Sequence, residues 1–164
     1  MKIETTAKKA GITFAALYAG AYALRSATLK LRNFKAEEFG PWWPLLDGDL
    51  LRKLDQFRDD LGSRVMVSPA KGAMGRFTDE GSQHFPRPLV RAIDVMIPDA
   101  TLWDAYKAAR RTGFHGIGLY PDWKPYHGAH LDMRPDRSGI APALWAGIKT
   151  ANGQEYVEIG RAFA

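Results

Sequence analysis

The residues best suited to chemistry in this chain are its histidines and the carboxylates spaced near them. His130 and Asp132 stand two apart in Gly-Ala-His-Leu-Asp-Met-Arg, so on an extended strand they share one face. His84 closes the tripeptide Ser82-Gln83-His84, and Asp94 follows ten residues later. Asp94 sits within Arg-Ala-Ile-Asp-Val-Met-Ile, which alternates well enough to be a largely buried strand. A carboxylate placed there is costly unless a cation meets it, either a side chain or a metal. Two imidazoles and one carboxylate, with a coordination position left for water, are the donor set of a catalytic zinc site. Such a metal brings the pKa of its water to about 7 and polarises a carbonyl. A His–Asp pair by itself also arises as a structural hydrogen bond, so the wider arrangement has to decide. The sequence has no cysteine, which excludes disulfides and thiolate-bound zinc and leaves His and carboxylates as the strong metal ligands.

The elements that must position these groups follow from pattern and punctuation. Residues 48–62, Gly-Asp-Leu-Leu-Arg-Lys-Leu-Asp-Gln-Phe-Arg-Asp-Asp-Leu-Gly, carry an apolar stripe of Leu50, Leu51, Leu54, Phe57 and Leu61. Asp47 or Asp49 can cap that helix and Gly62 suits its end. A short strand is expected over 64–67, a Gly-rich loop over 68–81, and then the Asp94 strand. A second helix begins at Asp99 or Thr101 and stops before Gly113. Strands follow at 116–121 and 128–134, and the tail adds one short helix and one strand. Mixed elements without strict alternation predict an α+β fold, a small mixed and mainly antiparallel sheet with flanking helices.

With 164 residues, 46% apolar and 12% aromatic, the chain has the composition of one folded domain. A net charge of +5 favours anionic partners such as nucleic acid, anionic lipid or cell-wall polymer. The Lys and Arg residues are dispersed and no recognisable DNA or RNA module accompanies them, so no specific nucleic-acid partner is expected. Near the N-terminus, Lys8 and Lys9 precede an uncharged stretch from Ala10 to Leu24 with Ala21-Tyr22-Ala23 inside it. This reads either as a secretory signal or anchor, or as an Ala-rich helix that packs on a neighbour. It is shorter than the roughly 20 residues that span a bilayer. Residues 1–29 are therefore set apart as an N-terminal apolar helix for membrane or assembly contact, and 30–164 as the main domain.

Taken together, Ser82-Gln83-His84, Ala92-Ile93-Asp94, Gly-Ile-Gly-Leu-Tyr-Pro at 116–121 and His130-Leu131-Asp132 make a more specific pattern. It resembles the zinc D-Ala-D-Ala carboxypeptidase family of peptidoglycan peptidases, which includes many phage endolysins and shares its metal fold with hedgehog signalling domains. The resemblance covers roughly residues 30–135. It implies a hedgehog/DD-peptidase-like fold, Zn2+ as cofactor, and His84, Asp94 and His130 as its ligands. It also implies a peptidoglycan peptide as substrate, and a phage-encoded, virion-associated or bacterial-envelope protein. Asp132 would stand behind a ligand or assist proton transfer. The family motif Ser-x-His-x-x-Gly-x-Ala-x-Asp is shorter than the stretch from His84 to Asp94, and its glycine is replaced within Phe-Pro-Arg-Pro-Leu-Val-Arg. Extra loop residues cost little and need not move either ligand. Where relatives place an acidic base three residues before the last ligand, this chain has His127, and His127, Asp132 and Asp122 all remain open as the base. Arg76, with Lys71 second, is expected to meet the substrate carboxylate, and Ser82 to contact substrate. Tyr120, Trp123 and Tyr126 can line a groove, whereas His115 is expected to be structural. The alternative reading is a structural or binding component on the same fold, with little or no hydrolysis.

Overall fold

A computed structural model describes residues 14–164. Lys8, Lys9 and the start of the apolar stretch at Ala10 lie outside the described residues. The first helix among the described residues, α1 (Phe14–Thr28), is held to the domain at its C-terminal end. There Arg25 donates to the Leu46 carbonyl at 2.7 Å and the Trp43 indole donates to the Ser26 hydroxyl at 2.9 Å. Leu17 and Leu24 on this helix are exposed. Among the described residues no helix is long and apolar enough to cross a membrane. A 3-10 segment, Ala36–Leu45, follows and buries Phe39 and Trp43.

The Leu-rich segment forms α2 (Gly48–Leu61), and Asp47 rather than Asp49 is its cap, accepting from the backbone N–H groups of Asp49 and Leu50. Such a cap contributes about 1 kcal/mol. Gly62 ends the helix in the left-handed region at φ 65°. Asp55 lies on the buried face, but its carboxylate accepts from the backbone N–H groups of Arg32 and Asn33 at 2.9 and 2.8 Å. In α3 (Leu102–Thr112) Thr101 takes the capping role: its hydroxyl accepts from the Asp104 N–H.

Six strands form one mixed sheet: β1 (Met66–Val67), β2 (Ala92–Met96), β3 (Gly116–Tyr120), β4 (Gly128–Asp132), β5 (Ala143–Thr150) and β6 (Gly153–Val157). Their spatial order is β1-β2-β4-β3-β5-β6, and among the described strands only β3–β5 is a parallel pair. The sheet is thus mixed and mainly antiparallel, as the α+β expectation has it. The tail differs in detail, since Ala143–Thr150 and Gly153–Val157 are a hairpin and only Ile159–Phe163 is helical, as a 3-10 turn. Alternation sorts the strand residues onto two faces. Ile93, Val95, Ile117, Leu119, Ala129 and Leu131 join Leu50, Leu54 and Phe57 of α2 and Ala105, Ala108 and Ala109 of α3 in one buried cluster. The opposite face carries Asp94, Gly116, Gly118, Tyr120, His130, Asp132 and Trp145. The helices hold one side of the sheet rigid, which leaves the other side free for chemistry.

Candidate metal centre

Strand register puts Asp94 directly opposite His130. Asp94 spends its own backbone on the other side, donating to the Ala73 carbonyl and accepting from the Ser68 N–H, both at 2.9 Å. Asp94 and His130 are therefore a non-hydrogen-bonded pair, the antiparallel geometry in which side chains come closest. His130 Nδ1 lies 2.9 Å from Asp94 Oδ1.

His84 reaches the same point from a loop. The Ser82 hydroxyl accepts the His84 backbone N–H at 3.2 Å and the Arg76 guanidinium at 2.8 Å, which fixes the turn before the imidazole. The Arg76 N–H donates in turn to the His84 carbonyl at 3.0 Å. The long segment from His84 to Asp94 closes on itself, because the Arg91 N–H donates to the Gln83 carbonyl at 3.0 Å. Arg87 and Pro88 are exposed at its tip. The additional residues thus project outward while the ends that carry His84 and Asp94 stay together.

The result is a triangle. His84 Nε2 lies 3.1 Å from His130 Nδ1 and 3.3 Å from Asp94 Oδ1, and the third edge is 2.9 Å. Metal–ligand bonds of about 2.0–2.1 Å at tetrahedral angles give edges of about 3.3 Å. These three residues can hold a metal ion. His84 and His130 are buried and the Asp94 side chain keeps 20% exposure. His84 Nδ1 is buried without a hydrogen-bond partner among the described residues, so the ring commits only Nε2, the atom aimed at the triangle.

Behind the triangle stands a second chain of contacts. His130 Nε2 pairs with Asp132 Oδ2 at 2.9 Å, and Arg134 grips the same carboxylate through Nε and Nη2, the latter at 2.6 Å. A carboxylate on the far nitrogen fixes the tautomer and orientation of a ligating imidazole. Gly116 makes room for it, since a Cβ there would run into the Asp132 carboxylate. Gly118 similarly admits the Trp145 indole, whose ring lies 5.3 Å from that of His130. The Gly-Ile-Gly signature therefore has a physical meaning: two missing side chains let the histidine support and its aromatic cover approach the strand.

Electrostatics follow from this packing. Burial pulls the His84 pKa down, outweighing its hydrogen bond to Asp94, so the ring is a neutral donor. Burial also opposes a charge on His130, but the hydrogen bonds from Asp132 and Asp94 prevail and raise it to about 9. Against burial, the imidazoles of His130 and His84 hold Asp94 down at about 2. Asp132 is kept far below the usual carboxylate range by His130 and Arg134, despite burial.

A cleft of about 410 Å³ opens over His130, lined by Arg76, Ser82, Tyr120, Arg134, Trp145 and Tyr156 among others. The expected contacts Arg76, Ser82 and Tyr120 are all in its wall. The Tyr120 hydroxyl accepts from the Trp145 indole at 3.1 Å, and burial raises its pKa. Asp132, by contrast, is fully buried with both oxygens engaged, so it supports His130 instead of meeting a proton in the cleft. His127 is not brought to the site: its Nε2 pairs with the Ala100 carbonyl at 2.8 Å, ahead of α3. Three residues from His130, it falls on the opposite strand face, which is why it cannot join. Asp122 accepts from the Lys149 N–H at 2.7 Å and His115 pairs with the Arg134 carbonyl at 2.8 Å, both away from the triangle. Arg134, Trp145 and Tyr156 were not anticipated. Arg134 was signalled by its spacing, two residues past Asp132 on the same face. Trp145 and Tyr156 depended on a hairpin that the tail does not announce. Compared with known protein families, curated proteins and solved structures, the chain matches none, and the site is read from its own geometry.

Proposed function

We propose that the centre binds zinc and that the protein hydrolyses an amide bond in bacterial peptidoglycan stem peptides. The observation that carries this reading is the triangle of His84 Nε2, Asp94 Oδ1 and His130 Nδ1, of which His130 lines a cationic, aromatic cleft. Two imidazoles and a carboxylate suit zinc among the common divalent ions, and a set of three leaves coordination open. Bound there, zinc supplies a Lewis acid for the carbonyl and a water acidified to near neutrality. The resemblance in the His84, Asp94 and His130 motifs supplies the substrate class.

The chain's own residues divide the remaining work. Arg76 and Arg134 give the cleft two guanidinium groups, the donors best shaped for a peptide carboxylate. An indole N–H can only donate, so Trp145 makes the Tyr120 hydroxyl an acceptor, and Tyr120 keeps its own proton beside Tyr156 in the cleft wall. Its raised pKa keeps that proton in place at neutral pH, where it stabilises negative charge growing on a carbonyl oxygen. Both imidazole contacts of Asp94 run through Oδ1, the oxygen that would meet the metal.

One observation favours the alternative, a binding component without hydrolysis. Among the described residues lining the cleft there is no carboxylate, and Asp132 is fully engaged. Metal analysis of the purified protein together with a muropeptide cleavage assay separates the two. Stoichiometric zinc and cleavage, both lost in His84→Ala and Asp94→Ala, support the enzyme. Zinc without cleavage supports the binding component.

A further inference from the structure

Arg76 lines two cavities: the cleft over His130 and an adjoining groove of about 610 Å³. Trp42, from the 3-10 segment, forms one wall of the groove, and residues 69–78 form the rest. The loop backbone runs directly against the indole, since a Cβ on Gly75 would enter the Trp42 ring. Phe77 is 65% exposed, yet its ring is fixed, 5.2 Å from Trp42 and edge-on to Phe85 at 6.5 Å. A large apolar ring held rigid in water is a preformed contact surface. The only charged residues lining the groove, among those described, are Lys71 and Arg76. The Arg76 guanidinium is tied to Ser82, the residue that sets the His84 turn, so it is anchored where the two cavities meet.

We propose that this groove is a subsite for the continuation of an extended peptide whose reacting amide lies over His130. An apolar part of that peptide rests on the Trp42–Phe77 platform, and a carboxylate is met by Lys71 and Arg76. The inference rests on the reading that the cleft takes a peptide, and it adds where the rest of that peptide goes. Two features favour a peptide over a folded partner. The groove has the volume of a small-ligand site, roughly 300–1,000 Å³, whereas protein interfaces bury about 800 Å² on each partner. It is also joined to the cleft through a shared cation, which suits one chain crossing both.

The test uses the full-length, zinc-loaded protein and two dye-labelled stem-type peptides with the same reacting end. One is a dipeptide, and the other is a pentapeptide with a free side-chain carboxylate; anisotropy gives Kd for each. The wild type is expected to prefer the longer peptide by about tenfold, worth about 1.4 kcal/mol. Lys71, expected from sequence as a second carboxylate contact, lines only the groove and, like Phe77, not the cleft over His130. Phe77→Ala and Lys71→Gln are therefore each expected to remove most of that preference and leave the short-peptide Kd unchanged. Both positions are exposed, so folding is not at risk. An unchanged preference in both variants, or none in the wild type, overturns the subsite. Cleavage is followed in parallel: preference without cleavage counts against hydrolysis and leaves the groove standing, whereas cleavage without preference overturns the groove alone. Binding of neither peptide overturns both.

Discussion

Metal binding at the triangle should expel a proton from His130. In the metal-free protein His130 is a cation between Asp94 and Asp132, with its pKa raised to about 9. A metal takes the Nδ1 lone pair and needs the ring without that proton. At pH 7 the site therefore binds about two pH units below the point where it is free of protons. That lowers the apparent affinity by about 100-fold, or about 2.7 kcal/mol at 1.36 kcal/mol per unit. His84 adds little, because burial lowers its pKa and leaves it neutral. The assay is calorimetric zinc titration at pH 7 in two buffers of different ionisation enthalpy, repeated up to pH 9.5. About one proton should be released per metal at pH 7, and affinity should rise about tenfold per pH unit before flattening near pH 9. Affinity independent of pH across this range, with no proton released, would refute the reasoning.

The same groups govern stability. With its folded pKa above the unfolded value of 6.5, His130 contributes stability that is fully present below pH 6.5 and fades as pH rises through about 9. Melts of the metal-free protein should show a loss approaching about 3 kcal/mol over that window, and saturating zinc should remove the slope. Asp132→Asn should weaken metal affinity about 10–100-fold, measured by competition with a chelator, without deleting a ligand. Gly116→Ala drives a methyl into the Asp132 carboxylate and should cost about 1–3 kcal/mol in denaturant melts. Tyr120→Phe leaves the Trp145 indole without its acceptor; in the enzyme reading it should lower kcat more than it raises KM.

Much of this site was legible because strand parity is a strict rule. His130 and Asp132 had to share a face, and Asp94 on a neighbouring strand could meet them once register aligned it. The same rule, applied further, puts Arg134 with them and His127 on the opposite face. The helices were legible because Leu50, Leu51, Leu54 and Phe57 mark one stripe and Asp47, Thr101, Gly62 and Gly113 mark the ends. What could not be read depends on pairing between distant or ambiguous segments. The closure of the loop through Arg91 and Gln83 leaves no local pattern. The Ala-Leu-Trp-Ala-Gly-Ile run of β5 suits a helix as well as a strand until β3 and β6 bracket it. The groove beside Trp42 likewise exists only because the 3-10 segment and the 69–78 loop fold together.

The central claim is that His84, Asp94 and His130 bind one metal ion. The direct measurement is anomalous diffraction at the zinc edge from crystals of the zinc-loaded protein. The account predicts a single strong peak about 2.0–2.2 Å from His84 Nε2, His130 Nδ1 and a carboxylate oxygen of Asp94. No peak within bonding distance of these three atoms, with zinc found elsewhere or not at all, would contradict it.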